Sequence, residues 1–200
     1  MKPLKKRSEV KKLKNRIVVF IPFSIFIIYF ILCSCERTSA PNEALNYAAD
    51  RALIEDLQAR YMFALDFGDL DKYVATFTED GILDIGMGEW RGRDTIRQIL
   101  SNIPPQEEIP AENDSLLQHH ATGRHNITNI VLKIDGDTAY GRAYWFHLSN
   151  NNPKRKATTD SYGHYEDIIV RTNGQWLFSK RKIYNEEIMQ WAALKENPCW

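Results

Sequence analysis

Ala59-Arg60-Tyr61-Met62-Phe63-Ala64-Leu65-Asp66-Phe67-Gly68-Asp69 ends a helical pattern with a glycine stop and then restarts it at an aspartate. Leu53, Ile54, Leu57, Tyr61, Ala64 and Leu65 recur at helical spacing, so a helix over 48–66 turns one stripe toward a core and carries the Tyr61 hydroxyl into an apolar interior. A hydroxyl in that position needs a hydrogen-bond partner, and a bound ligand is one candidate. Asp66, at the end of the same helix, has two readings: it bonds nearby backbone amides, or it serves another side chain.

Working outward, Asp69 reads as the N-cap of a helix over 70–77. A short strand over 81–85 ends at Gly86 and Gly88, and a further helix over 94–100 follows Arg91-Gly92-Arg93. Residues 101–118 contain Pro104, Pro105 and Pro110 among several acids and read as a long loop of the kind that covers binding sites. From there the periodicity becomes two. Strands over 122–134 and 138–148 flank Asp135-Gly136-Asp137, and strands over 162–171 and 176–183 flank Thr172-Asn173-Gly174-Gln175, giving two hairpins. Helices first and a long antiparallel sheet after predict an α+β fold in which a curved sheet is covered by helices on one face.

Alternation assigns faces to the strands. Over 138–148 one face carries Ala139, Gly141, Ala143, Trp145 and His147, and the other Tyr140, Arg142, Tyr144, Phe146 and Leu148. The first face is small enough to leave volume for a ligand, with His147 at its end. On the preceding strand His125 shares a face with Gly123, Ile127 and Val131; on the last, Arg181 lies with Leu177, Ser179 and Ile183. His119-His120 is not read as a metal site, because adjacent histidines on a strand point to opposite faces and two ligands are too few.

The N-terminus has a different composition. Eight basic residues precede the apolar run Ile17–Leu32, which closes on Leu32-Cys33-Ser34-Cys35. Basic region, apolar region and small residues before a cysteine, in that order, read as an export signal over 1–34, with cleavage before Cys35 and lipid on its sulfur; an uncleaved signal anchor is the alternative. Residues 35–47 read as a tether, 48–190 as the domain and 191–200 as a tail. Cleavage would leave Cys199 as the one free thiol, so no disulfide is expected within the mature chain. The segment to Ser34 holds eight basic residues and one acidic, leaving eighteen basic against twenty-five acidic and a net charge of minus seven. Nucleic acid is therefore not an expected partner.

The ordered set Ala59-Arg60-Tyr61…Asp66-Phe67-Gly68-Asp69, Phe77-Thr78-Glu79-Asp80-Gly81, Arg91-Gly92-Arg93-Asp94-Thr95-Ile96, Gly123-Arg124-His125-Asn126-Ile127-Thr128-Asn129 and Gly174-Gln175-Trp176…Arg181 resembles the SnoaL-like group of the nuclear transport factor 2-like superfamily. The resemblance implies a cone: a strongly bent antiparallel sheet wrapped around N-terminal helices and enclosing an apolar pocket. Within the superfamily the site residues are similar to those of scytalone dehydratase and the bacterial bile-acid dehydratase. Carried over residue by residue, that implies a catalytic set of Tyr61, Asp66, His125 and His147, with Asp66 orienting His125, and it places Arg181 beside the substrate. Trp145, on the small face of its strand, is the other expected substrate contact.

The function so implied is a cofactor-independent dehydratase or isomerase of a small hydrophobic hydroxy-ketone or polycyclic molecule, with no metal. The alternative is a non-catalytic lipoprotein that binds a hydrophobic ligand, since fold alone does not assign function. Relatives assemble through the outer sheet face, so the resemblance also implies a homodimer or homotrimer, with Tyr140, Tyr144 and Phe146 as contacts.

Overall fold

The glycine stop at Gly68 is built as the sequence requires. In a computed structural model describing residues 39–86, 88–112 and 120–188, helix α1 (Ser39–Asp66) closes with Gly68 at φ 65°, the Gly68 N–H on the Leu65 carbonyl at 3.1 Å and the Asp69 N–H on the Ala64 carbonyl at 2.9 Å. This paired closure satisfies the last carbonyls of the helix and needs a left-handed residue, which glycine supplies without strain. Asp69 then caps α2 (Leu70–Ala75), its carboxylate accepting from the Lys72 N–H at 3.0 Å and satisfying one of the first free amides of the helix. The remaining elements are β1 (Phe77–Asp84), β2 (Glu89–Arg91), α3 (Arg93–Ser101), β3 (Gly123–Asp135), β4 (Thr138–Ser149), β5 (Thr158–Thr172) and β6 (Gln175–Asn185).

The chain divides into two units, Met1–Ala48 and Ala49–Trp200. Of the first, the described part is helical: α1 begins at Ser39, earlier than the expected start at Ala48, so residues 39–47 of the expected tether are helical. The expected signal, Cys35, the loop residues 113–118, His119, Cys199 and the tail over 191–200 lie outside the described residues. Among the described residues no helix is long and apolar enough to cross a membrane.

In the second unit the six strands form one sheet in the order β2-β1-β6-β5-β4-β3. The expected α+β class is present, with one difference in pairing: β1 runs parallel to β6, while every other neighbouring pair is antiparallel. The core joins Ile54, Leu57, Tyr61 and Ala64 of α1 to Tyr73, Val74, Phe77, Leu83, Ala139, Ala143, Trp145, Tyr165, Ile169 and Phe178. Each fully buried Leu or Ile here contributes about 1.5–3 kcal/mol. Leu53 is off the stripe and 51% exposed; fully buried Gln58 occupies the inward face instead.

Three β-bulges shift the faces that simple alternation predicts. Between Thr128 and Val131 the register of β3 slips, with Asn129 at φ 53°, so Val131 turns outward and Leu132 enters the core. In β6, Ile169 pairs with Phe178 and Ile168 with Lys180, which leaves Ser179 as the extra residue. Arg181 therefore lies inward with Trp176 and Phe178, and its expected face-mates Leu177 and Ser179 are on the wrong phase. The third bulge, in β5, bears on the site.

Candidate active site

A carboxylate in the last turn of a helix meets the negative end of the helix dipole and needs compensation. Asp66 receives it from β3. The His125 backbone N–H lies 3.0 and 3.2 Å from the two carboxylate oxygens, and the His125 ring Nδ1 is 2.7 Å from Asp66 Oδ1. Of the two readings of Asp66, the second holds: it serves the His125 imidazole, and the backbone amide it bonds is that of the same residue on β3, not a nearby one. Donation from Nδ1–H to the carboxylate fixes the tautomer and leaves Nε2 bare.

His125 and His147 stand directly opposite in the β3–β4 register, and their ring centroids are 4.3 Å apart. The nearby Trp145 ring, 6.3 Å from that of His125, stacks on Tyr165 at 6.0 Å and donates its indole N–H to the Tyr184 carbonyl. Gly123 makes room for this group: a Cβ there would lie 2.0 Å from His147 Nε2. The structure therefore brings together Asp66, His125, His147 and Trp145.

Tyr61 and Arg181 lie in the core. The Tyr61 hydroxyl is 2.7 Å from that of Tyr73, so a second phenol of the chain supplies its hydrogen bond, and its ring is enclosed by Tyr73, Phe77, Tyr165 and Phe178. Burial pushes its pKa up. Among the described residues no hydrogen bond or ring contact joins it to His125.

Arg181, expected beside the substrate, has a fully buried side chain. It holds Asp167 through two hydrogen bonds of 2.9 and 2.8 Å, reaches Gln58 Oε1 at 3.1 Å, and lies 4.0–4.2 Å from the ring centres of Tyr61, Tyr165 and Phe178. Burial disfavours its charge, but the Asp167 carboxylate outweighs that and keeps the guanidinium protonated.

Sequence reasoning missed Tyr73, Asp167 and Asp160 as partners of these groups. Asp167 could have been found by alternation along β5, which sets Tyr165, Asp167 and Ile169 on the buried face. A third histidine–carboxylate pair, His164 with Glu186 at 2.7 Å, stacks on Tyr184 across the strand and is separate from the first two. His120 is exposed, 3.6 Å from Glu108.

Burial lowers the pKa of His125 below its ordinary value; the Asp66 hydrogen bond opposes this, and the neighbouring His147 adds to the lowering. The neutral, proton-accepting ring thus persists to lower pH than in a free histidine. The acid limb of any pH–rate profile that reports this base is expected to turn over below about 6.5, the ordinary histidine value. A profile turning over above that value would contradict the geometry. By the same linkage, His125 binds fewer protons folded than unfolded, so its contribution to stability is full above the ordinary value and declines as pH falls below it.

A family model described as "SnoaL-like domain" matches residues 46–182. The fold is similar to that of ActVI-ORFA from Streptomyces coelicolor, with a TM-score of 0.58 and 19% identity over 70% of this chain and 99% of that one. It is also similar to a candidate scytalone dehydratase from Novosphingobium aromaticivorans, with a TM-score of 0.55 and 21% identity over 70% of this chain and 85% of that one. A protein of unknown function from Mycobacterium tuberculosis gives a TM-score of 0.55 and 24% identity over 68% and 76% of the two chains. At these identities the likeness is one of fold. No curated protein matches the sequence.

Proposed function

This chain belongs to the SnoaL-like domain family, and from that membership and its two facing imidazoles we propose that it is a dehydratase or related isomerase of a small hydrophobic hydroxy-ketone or polycyclic molecule. The observation that carries the reading is the Asp66–His125 pair with the His147 ring 4.3 Å away and tilted by 34°. His125 Nε2 takes the proton from the carbon next to the carbonyl, the released electron pair forms the C=C bond, and the C–O bond of the β-hydroxyl breaks. His147 gives its proton to the departing hydroxyl, which leaves as water. Each ring keeps its Nδ1 proton throughout; the site begins with a further proton on His147 Nε2 and ends with one on His125 Nε2, so its charge is unchanged. Trp145 provides the apolar wall beside the reacting groups. Tyr61 and Arg181 act in this scheme by holding the core.

The scheme needs no cofactor, and the candidate scytalone dehydratase among the similar structures supports the reaction class. A lipid on Cys35, anchorage in the bacterial cell envelope and self-association through the outer sheet face are proposed with it, the first two from the sequence and the last from the family resemblance.

The test is incubation of the full-length chain with 3-hydroxytetralone, which becomes a naphthol on losing water. Saturable naphthol formation is the expected result. Saturable quenching of tryptophan fluorescence by the same compound without naphthol formation would contradict the enzyme reading and leave a binding protein.

A further inference from the structure

His147 stands opposite Ser161, and the next residue of β4, Leu148, stands opposite Thr159, so Asp160 is the extra residue of a β-bulge. In a regular strand Asp160 would face the side of the sheet opposite to Ser161 and His147, because successive side chains alternate. The bulge re-aims it. Its Oδ1 lies 2.7 Å from His147 Nδ1, and the Ser161 hydroxyl lies 3.5 Å from the same oxygen. Bulges that turn one side chain toward a site are a recurrent device beside active centres.

The result duplicates the arrangement at His125. Each of the two rings has its Nδ1 on its own carboxylate, Asp66 from the end of α1 and Asp160 from the bulge in β5, and the rings face each other. Gly123 completes the second half, because the His147 ring edge fills the volume its missing side chain leaves: a Cβ there would come within 2.0 Å of Nε2 and 2.5 Å of Cε1.

We propose that Asp160 is a positioning residue that acts through His147: by accepting its Nδ1–H it fixes the ring so that Nε2 is the nitrogen offered to the substrate. Its part in catalysis rests on the dehydratase reading; its part in orienting the ring does not. With Asp160 in place, the proton that His147 delivers is the one on Nε2, and the Nδ1 proton stays on the carboxylate side throughout. The site is then two oriented imidazoles, one arranged to accept a proton and one to donate it.

The experiment is long-range proton–nitrogen correlation of the histidine rings in the full-length chain labelled with nitrogen-15. In the parent protein, the neutral forms of His125 and His147 are both expected to carry their proton on Nδ1. Asp160→Ala should move the neutral His147 ring toward the Nε2–H form and leave His125 unchanged, while Asp160→Asn, which keeps an acceptor oxygen, should restore much of the Nδ1–H form. With 3-hydroxytetralone, Asp160→Ala should lower kcat on the order of 10²-fold with little change in KM, and Asp160→Asn should recover part of the loss. An unchanged His147 tautomer in Asp160→Ala would overturn the proposal. If the tautomer shifts as expected but the parent protein does not consume the ketone, the positioning of His147 stands and the dehydratase reading falls.

Discussion

Replacing His125 with alanine is expected to lower turnover of 3-hydroxytetralone by about 10²–10⁴-fold, the usual contribution of a positioned general base. The size follows from how completely the structure prepares this ring. Two elements distant in sequence converge on it: the last turn of α1 supplies the carboxylate, and β3 supplies both the ring and a backbone N–H that anchors the same carboxylate. Burial keeps the imidazole neutral and Asp66 keeps its Nε2 bare, so the base needs no rearrangement before it accepts a proton. The fold should survive the change, because His125 is partly exposed and outside the buried cluster around Tyr61. Circular dichroism of the variant should match that of the parent. Retained turnover in a folded His125→Ala protein would remove His125 from the chemistry.

The largest effect on stability is expected at Arg181. Its guanidinium and the Asp167 carboxylate are both fully buried, so substituting either alone leaves an unpaired charge in the core. Arg181→Met should cost about 3–5 kcal/mol of unfolding free energy and lower Tm on the order of 10 °C, measured by denaturant and thermal unfolding. The packing of the guanidinium near the rings of Tyr61, Tyr165 and Phe178 is lost in the same step. The pair Arg181→Met with Asp167→Leu should recover most of the loss, because an apolar replacement of both partners removes the stranded charge. A single Arg181→Met variant as stable as the parent would mean that the ion pair has no structural role.

What the sequence made legible was what depends on local rules. The stop at Gly68 and the cap at Asp69 are written in neighbouring residues, and both hairpins are marked by their turn glycines. The nearness of Asp66 to His125 was reached through family resemblance, since no local pattern relates residues on α1 and β3. Features set by irregular or distant pairing were not legible. Val131, Arg181 and Asp160 all change face or aim through bulges, and a bulge breaks the period of two on which face assignment depends. Arg181 in particular sits between two other cations, Lys180 and Lys182, and only the extra Ser179 turns it inward. The parallel pairing of β1 with β6 joins strands nearly a hundred residues apart and left no mark in either. The Tyr61 hydroxyl was correctly read as needing a partner; that the partner is Tyr73 follows from how α2 packs, which spacing along α1 does not encode.

The central claim is that the Asp66–His125 pair removes a proton from carbon beside a carbonyl. The most direct measurement uses a ketone that has no hydroxyl to lose, so that only this step can occur. The full-length chain is incubated with 2-tetralone in deuterated buffer, and deuterium entering next to the carbonyl is followed by proton NMR. The account predicts exchange well above the buffer rate with the parent protein and a return to the buffer rate with His125→Ala. Equal exchange with both proteins would contradict it.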